Sequence, residues 1–315
     1  MTYPKVSIIG AGQVGATTAW NLARTNLADI ALVDIVEGLA QGKALDMMHA
    51  SSLEHLTVTI EGSTDFAALR DSRLVVVAAG LARKPGMSRE DLLKANAEIV
   101  RPIVEQAARL APQALLIMVT NPLDVMTYLA YTVTGWDRSR VLGMAGVLDG
   151  ARFAYHIAQR LQVSADRVAP MVLGTHGDTM VCLPRHTTVG GRPLTELLPD
   201  AEVAQLVART RDAGAEIVAL LKAGSAFYAP GSAVVAMVRA ILQNEHATMT
   251  ASAVLQGEYG LRDLALGVPV TLGAKGIEEV VVLNLTADEQ QALQQAAATV
   301  QTGIQTLGLA GAKKS

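Results

Sequence analysis

Short apolar runs alternate with helix-length amphipathic segments through the first half of the chain. The runs are Lys5–Ile9, Ile30–Val33, Thr57–Ile60, Leu74–Ala78 and Ala114–Val119. Most are rich in Val, Ile and Leu and lack the in–out alternation of a half-exposed strand, which suits parallel strands covered on both faces. Between them, the spacing predicts helices over Gln13–Arg24, Gly38–Ala50 and Arg89–Leu110. This order predicts an α/β fold with a doubly wound parallel sheet and right-handed crossovers.

The second half is patterned differently. A helix is predicted over Val147–Leu161, then strands at Val168–Leu173 and near Thr187–Val189, then a long helix from Asp200 to Lys222. The segment Ala229–Gln243 carries Pro230 in its first turn, where a missing amide hydrogen costs least. Val254–Glu258, Val268–Thr271 and Glu279–Leu283 read as antiparallel or edge strands. Thr286 and Glu289 have capping-box spacing, and Leu293, Ala297, Val300, Ile304 and Leu307 then place one apolar stripe along a final helix. The pattern changes near Met144–Gly146 without a linker. It divides the chain into a nucleotide-binding domain over 1–144 and a second α+β domain over 145–315 that carries the substrate.

At 315 residues the chain exceeds what one core usually supports, which agrees with two domains. Half of it is hydrophobic but only 3% aromatic, so the core is built from aliphatic side chains. Charge is mixed along the chain, with 26 basic and 29 acidic residues, and no basic block suggests nucleic acid. The longest apolar stretches fall well short of the ~20 residues a membrane-spanning helix needs. Cys182 is the single cysteine, so no disulfide framework forms, and a reducing compartment is expected. It reads as a buried packing residue, with a nucleophile as the alternative. The N-terminus runs straight into a strand, which predicts no signal peptide and a cytoplasmic protein. No metal site is expected.

Gly10, Ala11, Gly12, Gln13, Val14 and Gly15 follow the first strand and open the first helix. Gly10 permits a tight turn, Gly12 lets backbone approach a pyrophosphate, and Gly15 allows close helix–strand packing, while free amides at the helix start face the phosphates. Asp34 ends the next strand, where a carboxylate accepts from ribose hydroxyls and repels a 2′-phosphate, so NAD is favoured over NADP. Together these make the sheet Rossmann-type. The alternative is an ordinary turn followed by a solvated aspartate.

Two further constellations bear on chemistry. Gly80 to Asp91 (GLARKPGMSRED) is a basic loop broken by Gly and Pro at the carboxyl end of a predicted strand, the end at which open α/β sheets bind ligands. Thr175-His176-Gly177-Asp178 follows another apolar strand. Arg83, Lys84 and Arg89 read alone as a solvated loop, and His176 alone as a structural histidine. Asp149 and Arg152 change that reading, because three residues apart on one helix they share a face and present a carboxylate and a guanidinium together.

The blocks GAGQVG, VDIVEG, GLARKPGMSREDLLKANAEIV, VTNPLDVMTYLA, GMAGVLDGARF, LGTHGDTMV and GEYG resemble the lactate/malate dehydrogenase superfamily, and most closely its bacterial lactate-dehydrogenase-like malate dehydrogenases. The resemblance implies NAD-dependent, reversible oxidation of (S)-malate to oxaloacetate. His176 is implied as the proton donor and acceptor, with Asp149 fixing its tautomer. Arg152 is implied to bind the substrate C1 carboxylate in a two-pronged contact and Arg89 to polarise the reacting carbonyl. Asn121 is implied to touch substrate and nicotinamide, with Asn96, Val119 and Thr120 on the cofactor side and a cis bond before Pro122. A homo-oligomer, dimer or tetramer, is also implied, with the helices around Gly38–Ala50 and Glu202–Lys222 as interface elements.

Arg83 stands at the position that separates substrates in this superfamily, where lactate-acting members commonly place glutamine. Arginine offers the second carboxylate of oxaloacetate a partner and leaves an unpaired cation against pyruvate. The chain departs from the family pattern at Thr175, where many relatives have glycine, and at Met47-Met48-His49, where His49 reads as a helix or interface residue. The basic pair of the sugar-phosphate-regulated members falls on Ala154 and Ala169, so no activation by fructose 1,6-bisphosphate is implied. Two other readings remain: a dehydrogenase of another 2-hydroxy acid, and a non-catalytic NAD-binding sensor. Arg83→Gln should greatly lower oxaloacetate turnover while sparing or raising pyruvate turnover; unchanged oxaloacetate kinetics would remove Arg83 from substrate selection.

Overall fold

The computed structural model describes residues 3–82 and 86–311. Arg83, a substrate-binding residue in the sequence reading, lies outside the described residues, as does its neighbour Lys84. The first half runs β1 (Lys5–Ile9), α1 (Gln13–Ala23), β2 (Asp29–Val33), α2 (Leu39–His49), α3 (Ser51–Glu54), β3 (Ile60–Ser63) and β4 (Ser72–Val77). It continues through α4 (Arg89–Leu110), β5 (Leu115–Met118), α5 (Leu123–Thr134) and β6 (Val141–Gly143). Strands in the order β3-β2-β1-β4-β5-β6 are all parallel. Ile8 lies level with Leu32 on one side and Val76 on the other. All three are fully buried, as strands covered by helices on both faces should be.

The second half runs α6 (Gly146–Leu161), β7 (Val168–Ala169), β8 (Val172–Gly174), β9 (Met180–Cys182), β10 (Thr188–Val189), β11 (Arg192–Pro193), α7 (Leu194–Leu197) and α8 (Asp200–Leu221). It ends with α9 (Tyr228–Leu242), β12 (Ala247–Gln256), β13 (Arg262–Gly273), β14 (Gly276–Val280) and α10 (Ala287–Thr306). The sheet does not stop where the pattern changes. β12 pairs antiparallel with β6, and β13, β8 and β9 follow, so one sheet crosses the whole molecule. A small second sheet holds β11, β10 and β7. Phe153 of α6 sits at the centre of a separate apolar cluster under it.

Several expected elements move for identifiable reasons. The strand expected at Thr57–Ile60 begins at Ile60 instead, because the amides of Thr57 and Thr59 donate to the side chains of Asn26 and Asp29. The strand expected over Val168–Leu173 splits at Pro170, which has no amide to give a ladder, and its two pieces join different sheets. The strand expected at Val254–Glu258 belongs to the longer β12, whose first six residues (ATMTAS) are too small and polar to stand out, and Glu258 lies beyond it in a short 3-10 turn. β13 likewise extends well beyond Val268–Thr271, and β14 lies three residues earlier than the strand expected at Glu279–Leu283. Helix α5 escaped the periodicity reading because residues Leu123 to Ala130 are buried all round, which erases an amphipathic stripe.

The final helix follows its sequence signals. Thr286 accepts from the Glu289 amide, and Glu289 accepts from the Thr286 amide at 2.8 Å. Leu293, Ala297, Val300 and Ile304 are buried along one face, with Leu307 half-buried at its end. Among the described residues, no helix is long and apolar enough to cross a membrane. Thr286→Ala should cost about 1 kcal/mol, read as a lower urea midpoint with an unchanged slope; an unchanged midpoint would show that the cap adds nothing here.

Candidate active site

The carboxyl ends of β1, β4 and β5 open onto a cleft of about 1250 Å³. Gly12, Gln13, Val14 and Gly15 form one wall, and Gly80, Leu81, Val119, Thr120 and Asn121 form another. The glycine loop is tight. Gly10 has φ +101, and a Cβ there would lie 2.6 Å from the Ala79 nitrogen; one on Gly15 would lie 1.8 Å from the Gly10 carbonyl oxygen. At Gly12, by contrast, nothing lies within 4 Å of such an atom, so backbone is exposed there to a ligand. Gly12 also begins α1 with no side chain capping it, leaving donors for an anion.

Asp34 holds this loop in shape. Its Oδ2 accepts from the Ala11 amide at 2.6 Å and its Oδ1 from the Val36 amide at 2.9 Å. It is half-buried, and a carboxylate has lone pairs left for ribose hydroxyls after two such contacts. Lys43 of α2, which the sequence reading did not single out, donates to the Ala11 carbonyl at 2.7 Å. Gly10, Ala11 and Asp34 do not line the cleft as Gly12 to Gly15 do; their contribution lies in fixing the backbone of the loop.

Asn96 is fully buried, and both ends of its amide serve the chain. Nδ2 donates to the carbonyls of Leu81 and Asn121, and Oδ1 accepts from the Leu81 amide at 2.7 Å. It joins the loop after β4 to the loop after β5. Thr120 is also buried and donates to the Ala79 carbonyl at 2.6 Å. Asn121 stays exposed, and its bond to Pro122 is cis.

A second pocket of about 680 Å³ adjoins the first, and Asn121 and Leu92 line both. Its walls include His176, Arg89, Asp178 and Thr302 of α10. His176 rides on the turn between β8 and β9. Its Nδ1 lies 2.9 Å from Oδ2 of Asp149, which is 1% exposed, and the other oxygen of Asp149 receives Arg152 Nη1 at 3.4 Å. The i, i+3 spacing on α6 therefore brings Asp149 to the ring and Arg152 to the other side of that carboxylate. Burial acts to lower the His176 pKa, but the charge and hydrogen bond of Asp149 outweigh it and the net shift is upward. Arg152 Nε is buried without a hydrogen-bond partner, an unspent donor beside the imidazole.

Arg89 occupies the first turn of α4, after a capping box between Ser88 and Asp91. It pairs with Asp178, and both side chains are largely exposed at the pocket rim. Cys182 is buried, which pushes its thiol up to about 12 and leaves it unreactive, as expected of a packing residue. His49 ends α2 and does not line either pocket. Among the described residues, no cluster of three metal-ligating side chains occurs.

The sequence reading overlooked Asp124. It lies in the first turn of α5, is buried, and accepts from the His176 amide at 3.1 Å and from Ser252 Oγ at 2.7 Å. An acid inside the otherwise apolar run after Pro122 was the available signal. Burial pushes its carboxyl up to about 6, against the pull of Ser252 and His176. Between roughly pH 4 and 6 the folded chain thus holds a proton that the unfolded chain releases, so Asp124 costs stability as pH rises through that window. Asp124→Asn keeps an oxygen acceptor and cannot ionise. Its stability relative to the wild type should rise between about pH 4 and 7 in urea unfolding; a pH-independent difference would show that this carboxyl does not titrate there.

Residues 4–143 match the lactate/malate dehydrogenase NAD-binding domain, and residues 146–308 match the α/β C-terminal domain of the same family. The chain is similar to the malate dehydrogenase of Trichormus variabilis, with 53% identity over 96% of this chain and 93% of that one. The malate dehydrogenase structure from Salinibacter ruber superposes with a TM-score of 0.93 at 46% identity, covering 97% of this chain and 98% of that one. A lactate dehydrogenase from Cryptosporidium parvum, solved with lactic acid and nicotinamide adenine dinucleotide, gives a TM-score of 0.94 at 37% identity over 98% and 99% of the two chains. From the glycine loop to the final helix, the chain belongs to the lactate/malate dehydrogenase family.

Proposed function

We propose that this chain is an NAD-dependent malate dehydrogenase and that His176, Asp149, Arg152, Arg89, Asn121 and Arg83 carry its chemistry. The observation that supports this most is the meeting of two clefts at Asn121: one bears an open glycine loop, the other a histidine held by a buried carboxylate that also receives a guanidinium. The glycine loop and the Asp34 carboxylate fit a dinucleotide without a 2′-phosphate. When bound, NAD takes or gives the hydride at the substrate C2.

The residues around it move the proton and hold the acid. Asp149 accepts from Nδ1 of His176, so Nε2 is the nitrogen left to act on substrate. In reduction Nε2 donates a proton to the developing alkoxide oxygen, and in oxidation it takes the proton of the C2 hydroxyl. Its raised pKa keeps the acid form to higher pH, so reduction weakens and oxidation strengthens as pH climbs through that value. Arg152 meets the C1 carboxylate with Nε and a terminal nitrogen, which gives its unpartnered Nε a use. Arg89 leaves Asp178 to polarise the carbonyl, and Arg83 receives the second carboxylate.

The protein acts in the cytoplasm as a homo-oligomer, dimer or tetramer. Exposed apolar side chains on α2 and α3 (Leu45, Leu53) and on α8 and α9 (Leu220, Leu221, Tyr228) are available to such an interface. Initial rates with oxaloacetate, pyruvate and longer 2-oxo acids, each with NADH and NADPH, test the assignment. Oxaloacetate with NADH should be fastest by a wide margin, and His176→Ala should bind NADH yet turn over almost nothing. Faster pyruvate reduction would reassign the substrate, and undiminished turnover by the histidine variant would remove His176 from the chemistry.

A further inference from the structure

The turn that carries His176 is closed by one backbone hydrogen bond, from the Met180 amide to the Gly177 carbonyl at 3.1 Å, and by side chains. β8 and β9 pair as far as Gly174 and Met180, which leaves Thr175 to Thr179 as the loop. Its first and last residues face one another, and the hydroxyls of Thr175 and Thr179 share a hydrogen bond at 2.6 Å. The two threonines thus extend the hairpin one step beyond its ladder, on the side of the turn that the Met180–Gly177 backbone bond does not reach. The turn is tight at that step: a Cβ on Gly174 would lie 2.8 Å from the Thr179 carbonyl oxygen.

We propose that the Thr175–Thr179 hydroxyl pair is a positioning clamp that holds the His176 imidazole on Asp149; this rests on the malate dehydrogenase reading above. Three tethers meet at this histidine. Asp124 holds its amide, Asp149 holds its ring, and the hydroxyl pair holds the ends of its turn. Asp124 fixes only one backbone atom of His176, and the Met180–Gly177 backbone bond closes the turn only on the far side of the ring. Without the hydroxyl pair the Thr175–His176 side of the turn loses its tie to Thr179, and the ring samples positions away from the carboxylate. The charged groups facing the ring are Asp149 and Arg152 from α6 and Asp124 from α5. Of these, Asp149 contributes most to keeping the proton on, so looser contact with it lowers the pH at which the ring deprotonates.

Thr175→Val and Thr179→Val keep the branched shape and remove the hydroxyl. Each should lower kcat for oxaloacetate reduction about threefold to tenfold, the range expected from losing one neutral hydrogen bond at a positioned group. KM for NADH should not change. The alkaline fall of kcat/KM should begin at lower pH in both, the double variant should be no worse than either single one, and Thr175→Ser should restore wild-type behaviour. An NMR titration of the His176 ring reads the same shift without turnover, so it decides the clamp even if the wild type reduces some other acid. A lower Tm with unchanged kcat, pH profile and ring titration would overturn the proposal, because the pair would then only stiffen the fold. If either valine variant fails to fold, Thr175→Ala and Thr179→Ala carry the same comparison.

Discussion

A carboxylate sealed from water must be matched by charge and hydrogen bonds or it will not stay ionised, and Asp149 is such a group. Its two oxygens are divided between an imidazole and a guanidinium, and neither partner can be removed without leaving the other arrangement unbalanced. The ring nitrogen left over belongs to a residue that lines the pocket, and the guanidinium nitrogen left over is buried with nothing to donate to. The chemistry of the pocket is thus the remainder after Asp149 has been satisfied. A single turn of α6 sets both halves of it, since residues 149 and 152 share its inward face.

The histidine is not held by its own half of the chain alone. Asp124 belongs to α5, which starts immediately after the loop that lines the cofactor cleft, and its second contact is Ser252 on β12. Asn96 binds that same loop to the one after β4. The place where hydride would pass and the place where a proton would pass are thereby fixed to common elements. Buried polar contacts of this kind are individually modest, but each is costly to leave half-made, and together they define one arrangement.

Much of this was legible in the chain before any coordinates. The parallel half follows from apolar runs buried on both faces, the first helix from three glycines, and the pairing of Asp149 with Arg152 from their spacing. What escaped has physical causes. Helix α5 is apolar all round and has no stripe to find; β12 begins in small and polar residues; Pro170 divides a run that looks continuous. Asp124, Ser252 and Thr179 matter through contacts with residues that are near in space and mostly far along the chain, and one-dimensional spacing carries little trace of those. Arg83 is the opposite case, a residue whose assignment rests on sequence resemblance alone.

The unbroken sheet has a mechanical consequence. Domains that close on their ligands usually do so about a few flexible residues with little bonding across the joint. Here the joint is itself a run of strands, with β6 laddered to β12 and a continuous apolar core beneath them. Bending the two halves toward each other would shear those ladders. The partly buried imidazole is approached at the rim, where an arginine and an aspartate on solvent-exposed stems face each other across the mouth. The fold is built as a vessel with a small stopper, not as a jaw.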